Sequence, residues 1–399
     1  MFAPFLSLAF YAALLFAASW LPLFDASPAL IPNNSIFVRW DVFHFLHIAS
    51  DRYAYEHEWA FLPGIAFILS VIPPGLPFAC LTSLLAVGSY RTLYALSLHH
   101  LRSKELAKLA SLLSLIPSSP VTLYFAPYNE PFFTYLSYRG MLCCAREQWT
   151  LAAFFFTLAG AFRSNGFFLG GFILWGLLVH PFLNGKMPTP KALLKSILLM
   201  ASVVSPFVIY HLYTYSLFCS QKSSTPEWCH RTIPSIYSYT QSKYWNVGFL
   251  RYWTPSQLPN FVIAAPPICL IYAFSVHHLS KTPVFGQIAS ASKPGPHKSR
   301  KGEKGARVGQ MEEEGQKPTA FSNPSITPHV IHALIFTSIL LFASHTQIIL
   351  RLAASMPVLY WAAAWLLLEH PFWGRLWVTW SVLWSMISVV LWAAFLPPA

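Results

Sequence analysis

The run FAPFLSLAFYAALLFAASWLPLF, residues 2–24, contains no Asp, Glu, Lys or Arg. A helix that crosses a bilayer needs about 20 consecutive apolar residues, whereas the core of a signal peptide is shorter and follows basic residues. We therefore expect this run to form an uncleaved first membrane helix. Similar apolar runs recur along the 399-residue chain, and together they predict an all-α polytopic membrane protein.

The composition narrows the class of protein further. Hydrophobic residues make up 55% of the chain and charged residues 10%, against about 25% charged in an ordinary globular protein. A soluble fold cannot cover its surface with so few charges, so a soluble domain and a plain nucleic-acid-binding protein are excluded, and we expect no nucleic-acid partner. The net charge of +12 is attributed to Lys and Arg held on the cytoplasmic side of the membrane.

This charge rule predicts a topology. Three basic clusters are expected on the cytoplasmic side, at residues 91–108, 186–195 and 281–328. The opposite face then receives the polar loops 25–60 and 219–257 and the turns near 128–130, 163–165 and 345–351. The chain divides into an N-terminal membrane part (1–280), a basic loop without apolar periodicity that we expect to be disordered (281–328), and C-terminal membrane helices (329–399).

Two apolar blocks carry specific expectations. The block 61–90 is interrupted by Pro73, Pro74, Gly75 and Pro77, so it is expected to kink or to split into two half-helices. The block 109–127 is expected to form one membrane segment. On the face opposite the basic clusters, Asn33 begins the sequence Asn-Asn-Ser and is a candidate for N-glycosylation, although it lies close to the membrane.

Acidic residues are scarce and therefore informative. The chain has 14, and seven fall on the predicted non-cytoplasmic face, namely Asp25, Asp41, Asp51, Glu56, Glu58, Glu130 and Glu227. Asp41 lies in RWDVFHFLHIA (39–49), whose spacing predicts an amphipathic helix at the membrane interface. From residue type alone Asp41 either caps this helix, pairs with Arg39 or His44, or is catalytic. A metal site at His44, His47 and Asp51 lacks the usual zinc spacings, and we expect no metal.

Further polar residues suggest contacts between loops. Glu130 interrupts apolar sequence at a proline-bounded break, which is costly unless it lines a cavity, and Arg163 is a candidate partner. The sequence Arg163-Ser-Asn-Gly166 fits a helix end with glycine as terminator. Arg351 is either an interfacial residue or a phosphate ligand. Cys219 and Cys229 flank a polar loop and are able to pair in an oxidising compartment, but the sequence leaves this open.

An ordered series of motifs points to a known family. They are RWDVFHFLHIA (39–49), YAYEHEWAFLPG (53–64), APYNEPFF (126–133), AFRSNG (161–166), YWNVGFLRYW (244–253), PNFVIAAP (259–266) and HTQIILRLAASMPVLYW (345–361). The series resembles the GPI mannosyltransferase 2 family, also called PIG-V. This resemblance implies a GT-C-type helix bundle in the endoplasmic-reticulum membrane with a lumenal active site. It also implies transfer of the second mannose, in α-1,6 linkage with inversion, from dolichyl-phosphate mannose to the GPI-anchor precursor.

The resemblance assigns roles to particular residues. It makes Asp41 the leading candidate for the general base, because a carboxylate must accept the proton of the attacking hydroxyl. The candidates for binding phosphate, sugar or lipid are Arg39, Trp40, His44, Glu56, Tyr128, Glu130, Arg163, Asn165, Tyr244, Trp245, His345 and Arg351. No cofactor is expected, and a small accessory membrane subunit is a potential partner. The rival interpretations are a GT-C transferase with another acceptor and a membrane transporter.

Overall fold

The computed structural model describes residues 2–24, 35–220, 225–282 and 319–396, and every regular element in these ranges is helical. In chain order, the main helices are α1 (Ala3–Ala18), α2 (Val42–Asp51), α3 (Gly64–Val71), α4 (Leu76–Leu101), α5 (Lys104–Leu113), α6 (Pro120–Tyr124), α7 (Glu130–Ala145), α8 (Trp149–Phe162), α9 (Ser164–Leu183), α10 (Pro190–Phe218), α11 (Ile236–Trp245), α12 (Leu258–Lys281), α13 (Thr327–Ala343), α14 (Ile349–Leu352), α15 (Pro357–Glu369) and α16 (Pro371–Ala393). Asn33 lies outside the described residues.

Several of these helices are able to span a membrane. Within the described residues, five helical segments are long and apolar enough. They are α9, α10, α12 with the preceding turn Pro255–Gln257, α13 with the preceding turn Pro324–Ile326, and α16. A sixth candidate is the pair Thr346–Ser355 and Pro357–Glu369, which is bent by 89°. In α10, only 11% of the most apolar window is buried within the protein, as expected where lipid covers the side chains. The chain is a multi-pass membrane protein, and its described part is all-helical.

Prolines set several helix boundaries. Pro190, Pro357 and Pro371 each begin a helix, where the missing N–H has no intrahelical partner to lose. The predicted break in block 61–90 is confirmed, because α3 ends at Val71 and α4 begins at Leu76. Between them Gly75 has φ 122°, a conformation that residues with a side chain rarely adopt.

Two sequence expectations about helix length are wrong. Helix α1 ends at Ala18 and has only 16 residues, so it does not extend through the apolar run to Phe24. Pro22 stands in that run and disfavours continuation of a helix through the residues before it. The block 109–127 is not one segment either, because α5 ends at Leu113 and α6 begins only at Pro120.

The predicted disordered loop 281–328 is described only at its ends. Residues 319–328 are folded, which differs from the expectation for this part of the loop. The Asn323 amide donates to the carbonyl of His100 at 2.8 Å, and the Thr282 hydroxyl donates to that of Ser322 at 3.2 Å. Phe321 and Ile326 are buried in the core, and their packing holds this segment together with these hydrogen bonds.

Three apolar clusters position the loops of the candidate site. The largest lies among α4, α7, α8, α12, α13 and α15. A second, which includes Val42, Phe45 and Trp392, joins α2 to α16. The third contains Trp59, Leu62, Tyr210, Trp228 and Ile236, and it binds the loop 219–257 to the first polar loop.

The loop 219–257 is also closed covalently. Cys219 and Cys229 form a disulfide, which confirms the pairing that the sequence left open. Cys229 lies in the turn Glu227–His230, in which Trp228 is only 1% exposed. The disulfide and the buried indole together hold the segment that leads into α11.

Candidate active site

Asp41 stands at the start of α2, in a locally strained turn. The preceding residue, Trp40, has φ 54°, which is uncommon for a residue other than glycine. Its indole stacks on Phe395, with ring centres 5.0 Å apart and planes 9° from parallel. The carboxylate of Asp41 makes no capping hydrogen bond to the described N-terminus of α2. The capping interpretation of Asp41 is therefore wrong.

The carboxylate of Asp41 instead meets an arginine from a distant part of the chain. Arg351 Nη1 donates to Asp41 Oδ2 at 3.2 Å, and Arg351 Nε lies 3.9 Å from Glu130 Oε1. Arg163 Nη1 donates to the same Glu130 oxygen at 3.0 Å, which confirms that predicted pair. These residues form a row of alternating charge, here called the Asp41–Arg351–Glu130–Arg163 network. Its members come from α2, α14, α7 and the end of α8.

Tyr128 joins this network through its ring and its hydroxyl. The backbone N–H of Asp41 donates to the Tyr128 hydroxyl at 3.3 Å, and the Arg351 guanidinium lies over the ring, 5.5 Å from its centre. Burial, reinforced by the nearby Asp41 carboxylate, raises the pKa of Tyr128 well above its ordinary value. The phenol therefore keeps its proton at neutral pH and remains a hydrogen-bond donor.

The network borders a cavity of about 270 Å³. Small-molecule sites begin at roughly 300 Å³, so this space suits one or two compact polar groups rather than a long chain. Seven of the residues predicted from sequence line it: Trp40, Asp41, Tyr128, Arg163, Trp245, His345 and Arg351. Side chains from the first loop, from α11 and from the turn before α14 thus converge on one site.

Two predicted residues close to Asp41 in the sequence do not line this cavity. Arg39 is buried and donates to the carbonyls of Ser35 and Val38, both at 2.8 Å, so it supports the loop. His44 stacks on Phe61, with ring centres 5.4 Å apart. Burial lowers the pKa of His44 below its usual value, which makes the ring neutral at pH 7.

Other predicted residues lie behind the cavity wall or outside it. Glu130 is 2% exposed in its side chain and acts on the cavity through the two arginines. Glu56 accepts hydrogen bonds from Lys243 Nζ at 2.6 Å and from the Tyr244 hydroxyl at 3.0 Å, and this pair joins the first loop to α11. Asn165 does not line the cavity.

Some cavity residues escaped the sequence analysis. They are uncharged polar side chains: Asn129, Ser164, Tyr237, Gln241 and Gln347. Three of them, Asn129, Ser164 and Gln347, stand inside the quoted motifs, so their position beside a charged candidate was an available signal. Tyr237 and Gln241 stand outside every motif, and only the packing of α11 reveals them.

The charged side chains of the site are suited to binding an anion and to accepting a proton. The side chain of Asp41 is 34% exposed, against 2% for Glu130, so Asp41 is the carboxylate that a ligand is able to reach. Arg163 and Arg351 supply positive charge for an anion. His47, considered above for a metal site, bonds Glu58 at 2.5 Å, and no group of three His, Cys, Asp or Glu among the described residues is placed to hold an ion.

Comparison with known proteins decides the family. A family model described as Mannosyltransferase (PIG-V) matches residues 16–399. The chain belongs to this family. The protein is therefore a glycosyltransferase, and the ordered motifs in its sequence indicated the family correctly.

Curated relatives match this PIG-V protein over most of its length. GPI mannosyltransferase 2 of Cryptococcus neoformans is 33% identical over 420 residues, covering 95% of this chain and 93% of the relative. GPI mannosyltransferase 2 of Yarrowia lipolytica is 31% identical, covering 94% of this chain and 91% of the relative. Human GPI alpha-1,6-mannosyltransferase 2 is 29% identical, covering 83% and 73%. No solved structure matches the chain.

Proposed function

We propose that this protein transfers the second mannose, in α-1,6 linkage, from dolichyl-phosphate mannose to the GPI-anchor precursor. The names of its relatives, GPI mannosyltransferase 2 and GPI alpha-1,6-mannosyltransferase 2, support the acceptor and the linkage. The observation that carries the mechanism is the contact between Asp41 and Arg351 at the cavity wall. This contact supports the mechanism, because it sets a carboxylate that is able to accept a proton next to a guanidinium group that is able to bind phosphate.

In this mechanism Asp41 is the general base. Its carboxylate accepts the proton of the acceptor hydroxyl as that oxygen attacks the anomeric carbon of the donor mannose. The bond from that carbon to the phosphate oxygen breaks in the same step, and the configuration at the carbon is inverted. Arg351 stabilises the charge that grows on the departing phosphate, and Arg163 adds positive charge nearby.

The remaining members of the site hold this pair in place. Glu130, which lies behind the cavity wall, orients Arg163 and Arg351. The Tyr128 hydroxyl accepts a hydrogen bond from the backbone N–H of Asp41. These contacts are partly buried, so they are stronger than the same contacts in water. Because guanidinium groups already face both carboxylates, we propose that the phosphate is neutralised by arginine and that the reaction is independent of divalent metal ions.

We further propose that the site faces the lumen of the endoplasmic reticulum in a GT-C-type arrangement. The Cys219–Cys229 disulfide in the loop 219–257 supports an oxidising compartment. Helix α2 buries Val42, Phe45 and Ile48 along one side, which supports an interfacial position. The polyprenyl chain exceeds the cavity and is expected among the membrane helices near the break between α3 and α4. A small accessory membrane subunit remains part of the proposal.

The test uses microsomes from cells that lack the second GPI mannosyltransferase. They receive the full-length chain, dolichyl-phosphate mannose and a singly mannosylated GPI precursor. We expect wild type to add one α-1,6-linked mannose, in the presence of EDTA as in its absence. Asp41→Asn is expected to lower the rate about 100- to 10,000-fold, the usual contribution of a general base.

Asp51→Asn is the matched control. Asp51 ends the same helix, its side chain is 62% exposed, and it does not line the cavity. We expect it to retain wild-type activity. Transfer by wild type to another acceptor only would refute the assigned substrate, and undiminished transfer by Asp41→Asn would refute the assigned base.

A further inference from the structure

The side chains that line the cavity fall into two chemical groups. The first is the charged group already described, around Asp41 and Arg351. The second, here called the uncharged group, consists of Tyr237, Gln241, Trp245, His345 and Gln347. Tyr237, Gln241 and Trp245 come from α11, which is outside the five spanning helices of the described chain, and His345 and Gln347 come from the turn between α13 and α14. Gln347 also belongs to the bent pair Thr346–Ser355 and Pro357–Glu369, the sixth candidate span.

Gln241 and Gln347 are each oriented by one hydrogen bond, and each keeps the other polar atom of its amide free. Gln241 Nε2 donates to the carbonyl of Ala60 at 3.2 Å, and Gln347 Oε1 accepts from the Tyr252 hydroxyl at 2.6 Å. Among the described residues no partner takes up Gln241 Oε1 or Gln347 Nε2. The group therefore offers one free acceptor and one free donor, each on an oriented amide.

His345 adds a second acceptor. Its Nε2 donates to the carbonyl of Trp245 at 2.6 Å, which leaves Nδ1 without a proton when the ring is neutral. The indole of Trp245 packs against Phe61, with ring centres 5.6 Å apart, and both rings line the cavity. Neutral donors and acceptors beside aromatic rings match the hydroxyl groups and apolar faces of a hexose better than an anion.

The loop that carries α11 is held rigidly. Ser235 caps α11 by accepting the N–H of Ser238 at 3.2 Å, and the same hydroxyl lies 2.7 Å from His211 Nε2 of α10. Tyr237 shares a hydrogen bond of 2.8 Å with Ser164, next to Arg163 of the charged network. These contacts fix α11, and with it Tyr237 and Gln241, relative to the charged group before any ligand binds, which reduces the entropy lost on binding.

We propose that Gln241 and Gln347 bind the terminal hexose of the acceptor and determine which of its hydroxyl groups reaches Asp41. This inference rests on the proposed function. The phosphate of the donor needs the charged group, whereas the acceptor hexose carries no charge and needs neutral donors and acceptors. The donor mannose is bonded directly to the phosphate and is therefore held beside the charged group, which leaves the uncharged group for the acceptor hexose.

The experiment measures acceptor and donor KM separately in detergent-solubilised full-length enzyme. Gln241→Met and Gln347→Met keep side-chain length but remove the amide. Each is expected to raise the acceptor KM about three- to tenfold, the effect of one neutral hydrogen bond, with the donor KM nearly unchanged. The double variant should multiply the two effects, provided that the two sites act independently.

Gln148→Met is the matched control, because Gln148 is exposed before α8 and does not line the cavity. Its kinetic constants should equal those of wild type. Product linkage is a second readout, and the double variant should form products at hydroxyl groups other than that used by wild type. Thermal unfolding midpoints, measured in parallel, identify any variant whose fold is damaged.

The outcomes are separable. Unchanged acceptor KM in both folded single variants refutes the inference, and so does a rise confined to the donor KM, which would assign the uncharged group to the donor sugar. Failure of wild type itself to extend the singly mannosylated precursor refutes the proposed function instead. If Gln241→Met is misfolded, Gln347→Met on the separate turn still decides the question.

Discussion

Replacing Glu130 by Gln tests whether the Asp41–Arg351–Glu130–Arg163 network holds the site together. The change keeps the size of the side chain and removes one buried negative charge. Arg163 Nη1 lies 3.0 Å and Arg351 Nε 3.9 Å from Glu130 Oε1. At an effective dielectric of about 20, these distances correspond to attractions of about 5.5 and about 4 kcal/mol. Most of this sum is offset by the desolvation of the three charges.

The net loss is expected from what happens to the partners. Without the carboxylate, two partly buried guanidinium groups lose their shared counter-charge. Removing one partner of a buried ion pair destabilises a protein by about 3–5 kcal/mol. We therefore expect Glu130→Gln to lower the free energy of unfolding by about 3–5 kcal/mol, and to lower transferase activity because Arg351 loses its orientation. Unfolding is measured by SDS titration in mixed micelles.

Glu227→Gln provides the comparison for the same substitution at the surface. Glu227 pairs with Arg231 at 3.4 Å, but its side chain is 74% exposed, against 2% for Glu130. A surface pair contributes about 0–1 kcal/mol. Adding Arg163→Met to Glu130→Gln should recover part of the stability, since one unpaired charge is removed. A loss for Glu130→Gln as small as that for Glu227→Gln would refute the structural role of the network.

Two further predictions concern the supports of the site. Replacing Cys219 and Cys229 together by Ser opens a loop with a sequence separation of 10. We expect the free energy of unfolding to fall by about 2–3 kcal/mol in the same titration, and the acceptor KM to rise. An acceptor KM equal to that of wild type would refute the inference that the bridge supports α11. Gly166→Ala places the new Cβ 2.6 Å from Cα of Gly160 and should destabilise the protein by about 1–3 kcal/mol. Gly171→Ala is the control, because no atom lies within 4 Å of its new Cβ, and it should not lower the stability. Equal stability of the two variants would contradict the close approach of Gly166 to Gly160.

Gly166 shows a structural role that the local sequence does not predict. Gly166 was expected to terminate a helix, but α8 ends at Phe162 and Gly166 lies in the first turn of α9. Its small size is needed because the backbone of Gly160 approaches closely. This reason depends on how α8 and α9 cross, which the local sequence does not contain. The interpretation as a terminator was reasonable and wrong.

In the candidate site, too, some residues could be predicted from the sequence and others could not. Asp41 was identified because acids are few and costly in an apolar chain, and Glu130 and Arg163 because charge at a break between apolar segments needs a partner. The partner of Asp41 could not be identified, since Arg351 is 310 positions away in the sequence. Arg39 and His44 are both nearer in sequence, but neither forms a hydrogen bond with the Asp41 carboxylate; Arg39 donates to backbone carbonyls and His44 stacks on Phe61.

The sequence by itself determined that the chain is a helical membrane protein of the PIG-V family with Asp41 in its first polar loop. Hydrophobicity is a property of each segment, and motifs retain their order along the chain, so neither needs a fold to be recognised. Only the tertiary structure decided that Arg351 pairs with Asp41, that Glu130 joins two arginines, and that Gln241 and Gln347 face the same cavity. Those contacts join residues far apart in sequence, and they depend on helix packing that no local pattern encodes.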